Sequence, residues 1–137
     1  MRRTLGILAV LATLALSGCA AQTRSDALTN TLKAYASTVR WGDFASAAQF
    51  VDPATRKAHP LSSLDMARYA QVRVTEYNDD AAPVPASDTE VRQTVRINLV
   101  NINTQSERTI TDNQVWRYDA AGKHWWLSSG LPDITRE

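Results

Sequence analysis

The residue pattern predicts an α+β fold, with about three N-terminal helices packed on one face of a curved four-stranded antiparallel sheet. Three observations carry this expectation. Apolar residues recur at helical spacing between Leu28 and Val39, the period switches from 3.6 to 2 after Val72, and short polar connections join the alternating runs that follow. Helices first and hairpin-linked strands afterwards give segregated layers, not an interleaved parallel sheet.

From Asp26 to Arg40, residues Leu28, Leu32, Tyr35 and Val39 form one stripe, with Ser25 or Asp26 available as cap. Gly42 stops that helix. Asp43 can cap a second helix, from Phe44 to about Val51, that buries Phe44, Ala47, Ala48 and Val51. Asp52-Pro53 ends it and starts a short turn through Ala58. Ser62 or Ser63 caps a third short helix over Leu64 to Tyr69.

Val72 and Val74 then mark a strand to about Tyr77. Asn78 to Asp88 (NDDAAPVPASD) reads as a loop, because two prolines and clustered aspartates defeat both periods. Val91, Val95, Ile97 and Leu99 share one face of a long strand, and the opposite parity of Val100 and Ile102 suggests a bulge near Leu99. Ser106 to Tyr118 is the next strand, with Ile110, Trp116 and Tyr118 on one face. Asp119-Ala120-Ala121-Gly122 makes a hairpin loop with its glycine placed for positive φ. His124 to Leu127 returns, sending Trp125 and Leu127 to one side and Trp126 to the other. Gly130 and Pro132 close the domain.

Ahead of these elements, Met1-Arg2-Arg3 is positive and Leu5 to Leu16 (LGILAVLATLAL) is apolar without a charge. That run is too short for a spanning helix, which needs about 20 residues. It has the layout of a secretory signal peptide. A buried N-terminal helix is the competing reading, but the run has no polar face to turn toward solvent.

Leu16-Ser17-Gly18-Cys19 resembles a bacterial lipobox, with cleavage between Gly18 and Cys19. The resemblance implies a diacylglyceryl thioether on Cys19 and an acyl (palmitate-class) amide on its new amino terminus. By analogy with sorting in Gram-negative envelopes, Ala20 after the cysteine implies the periplasmic face of the outer membrane. Cysteine usage agrees: secreted chains pair their thiols, and this chain has one. Two or more acyl chains anchor stably where one does not. Three segments result: a leader over 1–18, Cys19 with a short tether over 19–25, and a single domain over 26–137. Extended, that tether reaches only about 20 Å, which keeps the domain near the membrane.

Losing Arg2 and Arg3 lowers the 15 Lys+Arg to 13 against 14 Asp+Glu, a side-chain balance of −1. Such a domain lacks the basic field that nucleic-acid binding exploits, so no nucleic-acid partner is expected.

The order of elements resembles the nuclear transport factor 2-like (cystatin-like) superfamily, in which helices pack into the concavity of a sheet. The supporting residues are Tyr35, Trp41-Gly42-Asp43-Phe44, Ala47-Ala48, Val51-Asp52-Pro53, Trp116, Trp125-Trp126-Leu127 and Leu131-Pro132. Within that superfamily the chain looks most like the small lipoproteins. The superfamily hosts isomerases, dehydratases, cyclases and plain binding modules, so the resemblance implies a fold and leaves the activity open.

Its enzymes, such as those like ketosteroid isomerase or polyketide cyclase, place a carboxylate or histidine inside the cone. Here the candidates are Asp65, Tyr69, Asp112, His59 and His124. Asp112 shares the parity of Ile110 and Trp116, yet beside Thr111 and Asn113 it reads more readily as a solvated strand-end aspartate. Asp65 sits in a first helical turn, where it complements the dipole. His59 and His124 read as surface residues. Asp79, Asp80 and Asp88 lack calcium-loop spacing, and two isolated histidines make no zinc site. No catalytic set, metal or cofactor is therefore expected.

Trp41 reads first as a pin between two helices and second as the mouth of a pocket. Trp126 is the better interface cue, since an exposed indole can nucleate a protein contact. Trp41, Asp65, Tyr69, Asp112, Trp116 and Trp126 form the candidate pocket or interface set. The leading expectation is a non-enzymatic, membrane-anchored module that binds an envelope protein or a small apolar ligand. The alternatives are a lyase- or isomerase-like enzyme using the cone, and an accessory subunit of an envelope secretion or assembly machine.

Overall fold

The computed structural model describes residues 2–136, with side chains from Gly18 onward. The apolar run of the expected leader lies outside the residues whose side chains are described. The fold is α+β, a curled antiparallel sheet with helices on its inner face.

Helix α1 runs over Arg2–Trp41, well upstream of the expected start at Asp26. Ala20, Ala21, Gln22 and Arg24 are strong helix formers, and no proline interrupts them, so Ser25 and Asp26 do not act as caps. The Gln22 side chain instead donates to Asp26 Oδ1 one turn ahead, at 2.9 Å. The segment expected to be a short tether is therefore part of the helix. On its stripe, Tyr35 and Val39 are buried, and Leu28 and Leu32 pack half-buried against the core. Gly42 ends the helix by donating to the Thr38 carbonyl at 2.9 Å, an approach so close that a Cβ there would meet that oxygen at 2.7 Å.

Asp43 caps α2 (Phe44–Ala47) by accepting from Ser46 N at 2.6 Å, and a 3-10 turn continues over Ala48–Phe50. Phe44, Ala47 and Val51 are buried as expected, while Ala48 is half-buried. The turn expected after Asp52 is a short helix, α3 (Pro53–Ala58), with Asp52 as N-cap and Pro53 in its first turn. Helix α4 (Ser63–Ala70) starts from a reciprocal capping box: Ser62 Oγ accepts from Asp65 N, and the Asp65 carboxylate accepts from Ser62 N.

The strands are β1 (Val72–Asn78), β2 (Val84–Ser87), β3 (Glu90–Asn101), β4 (Glu107–Asp119) and β5 (His124–Leu127). They order as β1-β3-β4-β5, with β2 pairing β3 beyond the end of β1 on the same edge. β2 falls inside the segment read as a loop. An edge strand pairs on one side only, so Pro85 can occupy it without losing a ladder bond.

β3 holds a regular register against β4 from Glu90↔Arg117 to Val100↔Glu107, so it carries no bulge. The irregularity lies across from Leu99, on β1 between Val74 and Glu76. It turns Tyr77 toward the core. In the β4–β5 hairpin the positive φ falls on Lys123 (51°) and not on Gly122.

α1 crosses the inner face diagonally. Near one end Trp125 Nε1 donates to Arg24 O at 3.0 Å, on β5; near the other Arg40 Nη1 donates to Val74 O at 3.0 Å, on β1. Beneath it lie Val91, Val95, Ile97, Leu99, Ile110, Trp116, Trp125 and Leu127, all buried. The C-terminal segment folds over the remaining opening. Ile134 is buried, Tyr69 Oη donates to Pro132 O at 2.9 Å, and Arg108 donates to the Ile134 carbonyl.

Candidate functional site

Two regions gather the candidate residues: a polar cluster inside the sheet's concavity, and the surface around α4.

Strand alternation builds the first. On β4 the inward parity brings Ile110, Asp112, Gln114 and Trp116 to one face, and on β3 it brings Gln93 beside Val95. Asp112 pairs directly with Val95 and is only 8 % exposed, which overturns its reading as a solvated strand-end residue. The even period of β4 has no break before Trp116, so Asp112 cannot leave the core without turning Trp116 out.

Gln114 organises the cluster. Its amide nitrogen donates to Asp112 Oδ2 at 2.8 Å and reaches Tyr77 Oη at 2.9 Å, while its carbonyl accepts from Trp116 Nε1 at 3.1 Å. Tyr35 stacks edge-on against Trp116, Tyr77 and Phe50 at 5.2, 6.4 and 5.4 Å between centroids. Its hydroxyl is buried without a partner among the described residues. Burial pushes the Asp112 carboxyl up to about 6, against the pull of the Gln114 donor bond. Burial, reinforced by that nearby carboxylate, also raises the Tyr35 phenol well above its usual value.

An acid held near neutrality beside phenols could serve proton transfer. Asp112, Gln114 and Trp116, however, line none of the five most prominent grooves among the described residues. Trp116, a candidate for pocket or interface, is a fully buried core residue.

The second region is open. A groove of about 620 Å³ runs between the end of α1, α4 and the start of β1, lined by Trp41, Phe44, Tyr69, Val72, Arg73 and Ile102 among others. Another of about 470 Å³ lies on the far side of α4, between α3 and the C-terminal segment, and includes Val51, Arg56, His59, Leu61, Tyr69 and Leu131. Tyr69 belongs to both. Burial and the nearby Asp133 carboxylate raise its phenol to about 12, so it stays a neutral donor to Pro132 O.

Trp41 does not pin the two helices together. It is 76 % exposed at the last position of α1, with the Arg40 guanidinium 4.0 Å over its ring. Gly42 and Asp43 make the turn without it. Ile102 (45 %), Leu64 (57 %) and Leu61 (40 %) are also exposed around α4, a helix with no fully buried residue.

Of the remaining candidates, Asp65 serves structure, His59 lines the second groove, and the others sit apart from both regions. The capping bonds from Ser62 hold the Asp65 carboxyl below its usual range, so it is a helix cap. His59 is exposed on the second groove. His124 lies on the outer sheet face, 4.3 Å from the half-buried Trp126 ring, and Trp126 lines no described groove. Asp79, Asp80 and Asp88 are exposed. Cys19 is exposed on α1 with a free thiol, next to Gly18.

Sequence reasoning missed Gln114, Tyr77 and Ile102. The signal for Gln114 was its parity with Trp116. Ile102 was signalled by its position just past a strand end, where an apolar residue has nothing to cover it.

Among the described residues, no three His, Cys, Asp or Glu side chains are grouped to hold a metal ion, and no helix is long and apolar enough to cross a membrane. No family model, curated protein or solved structure matches this chain.

Proposed function

We propose that the chain is a lipoprotein of the nuclear transport factor 2-like superfamily, held by Cys19 on the periplasmic face of the outer membrane, and that it works as a non-enzymatic interaction module. One observation carries the reading: the concavity is filled and the apolar surface is outside. Tyr35, Trp116 and Leu127 occupy the space where a cone enzyme would admit substrate, while Trp41, Leu61, Leu64 and Ile102 stay in solvent around α4. Apolar side chains clustered on open grooves mark binding surfaces more often than chance exposure does.

The anchor part rests on the lipobox-like Leu16-Ser17-Gly18-Cys19 and on the exposure of Cys19. Its test is mass spectrometry of the amino-terminal peptide, together with fractionation. A triacylated Cys19 peptide, and release of the Cys19→Ser variant from the membrane fraction, are expected. An unmodified Cys19 in membrane-associated protein would overturn it.

A second reading is favoured by the Asp112 carboxyl poised near 6 beside the unpartnered Tyr35 hydroxyl: a lyase- or isomerase-like enzyme whose cone opens on substrate. It requires turnover that Asp112→Asn abolishes. A binding module requires none.

A further inference from the structure

Resting on that reading, we propose that the α4 end of the domain, facing away from the membrane, docks an acidic, apolar segment of another envelope protein. Direction comes first. α1 is continuous from Cys19 to Trp41, a rise of about 33 Å along a straight helix. The anchor and the Trp41 groove therefore lie at opposite ends of the molecule.

Charge then selects the occupant. Three grooves adjoin α4, joined through Tyr69 on one side and Val72 on the other. Their linings carry Arg40, Arg56, Arg68, Arg73 and Arg108 against one lining carboxylate, Asp43, which is already committed to Ser46 N. Asp65, paired with Arg68 at 3.7 Å, and Asp133 stand beside Tyr69, which leaves five arginines against three carboxylates. Among the described residues, Arg56 and Arg73 meet no carboxylate. The exposed Trp41 and Ile102 share a groove lining with Arg40 and Arg73, and the exposed Leu61 shares one with Arg56. Arginine and tryptophan are the side chains that dominate protein interfaces, and a cationic rim selects partners bearing carboxylates. The fitting ligand is a peptide segment with apolar anchors flanked by aspartate or glutamate.

A second copy offers such a segment in Asp79–Asp88, with Val84 64 % exposed between two prolines. It sits at the wrong height. β2 pairs with the first residues of β3, and Tyr118 N donates to Thr89 O while Arg24 lies over the Tyr118 ring. That places the Asp88 end of the segment at the Arg24 level of α1. Its Asp79 end, following Asn78 opposite Arg96, lies higher but still on the sheet edge below the Trp41 groove in any copy anchored in the same membrane. A lipid surface is likewise at the other end.

The test is photo-cross-linking of the full lipidated chain in envelope vesicles, with benzoylphenylalanine at Trp41 or at Ile102 and, as control, at Thr111 on the outer sheet face. Cross-linked peptides are identified by mass spectrometry. The proposal expects the same foreign peptide from positions 41 and 102, with apolar residues between carboxylates, and about a tenfold lower yield with Arg73→Glu. Arg73 is exposed, so that variant keeps the fold. Adducts to residues 79–88 of a second copy, to phospholipid, or to a basic peptide would overturn it, as would no adduct from either position. Adducts confined to Thr111 would remove this site while leaving an interaction module standing. Cys19→Ser fractionation tests the anchor separately.

Discussion

The concave face of the sheet and the surface around α4 contain the same kinds of residue, aromatic rings beside ionisable groups, put to opposite use. Inside, Asp112 lies on the face that carries Trp116, with Tyr35 and Tyr77 nearby, and accepts a hydrogen bond from Gln114 at Oδ2. Outside, Trp41 and Ile102 stand in solvent next to Arg40 and Arg73. Titratable groups alone would have pointed to the interior as the working site. Burial separates the two: Asp112 is 8 % exposed and lines none of the five most prominent grooves, whereas Trp41 stands on one.

Substitutions that should leave one region untouched while damaging the other sharpen this contrast. The largest effect belongs to Trp116→Ala, which removes a fully buried ring and orphans the Gln114 carbonyl. It should cost about 3–5 kcal/mol, read as a loss of thermal or urea stability. A loss under 1 kcal/mol would mean the concavity is loosely filled.

Next comes Asp112→Asn, with the sign reversed. The folded chain binds that proton more tightly than the unfolded one, since burial raises the carboxyl from 3.8 to about 6. The resulting penalty is absent at pH below about 4, grows as pH rises through the window, and is complete above about 6. The asparagine variant should therefore be more stable at pH 7, by up to about 3 kcal/mol, and should flatten the stability profile between pH 4 and 6. Denaturant melts at four pH values would check it. Equal stabilities at pH 7 would show that the carboxylate is solvated.

Ser62→Ala tests the frame of the outer region, because it breaks the capping box that starts α4. About 1 kcal/mol of stability should go, with helix content falling locally in hydrogen exchange. The smallest effect on stability should come from Trp41→Ala. At 76 % exposure it should shift unfolding by no more than about 0.5 kcal/mol. A drop of 2 kcal/mol would restore its reading as a pin between helices.

Most of the frame was legible from periodicity. The stripe Leu28, Leu32, Tyr35, Val39 and the alternation of Val91, Val95, Ile97 and Leu99 are local records of burial, and both layers follow from them. Three features were not legible, for distinct reasons. The start of α1 depended on the absence of a stop signal, which a search for caps overlooks. β2 is an edge strand whose partner, β3, supplies the ordering that its prolines do not. Asp112 was misplaced because polar neighbours argued for solvent, whereas strand parity, fixed by Trp116, outweighs composition.

The candidate site divides in the same way. Trp41 and Tyr69 were found as residues, but the arginine-lined grooves joining them come from four chain segments brought together only by folding.

The four indole N–H groups offer the most direct test of the contrast. With the full chain in detergent micelles and a water-soluble gadolinium chelate added, the Trp41 resonance should broaden strongly, while those of Trp116 and Trp125, bonded to Gln114 and Arg24, stay sharp. Broadening of the Trp116 signal to match that of Trp41 would contradict a closed interior and return the search for function to Asp112.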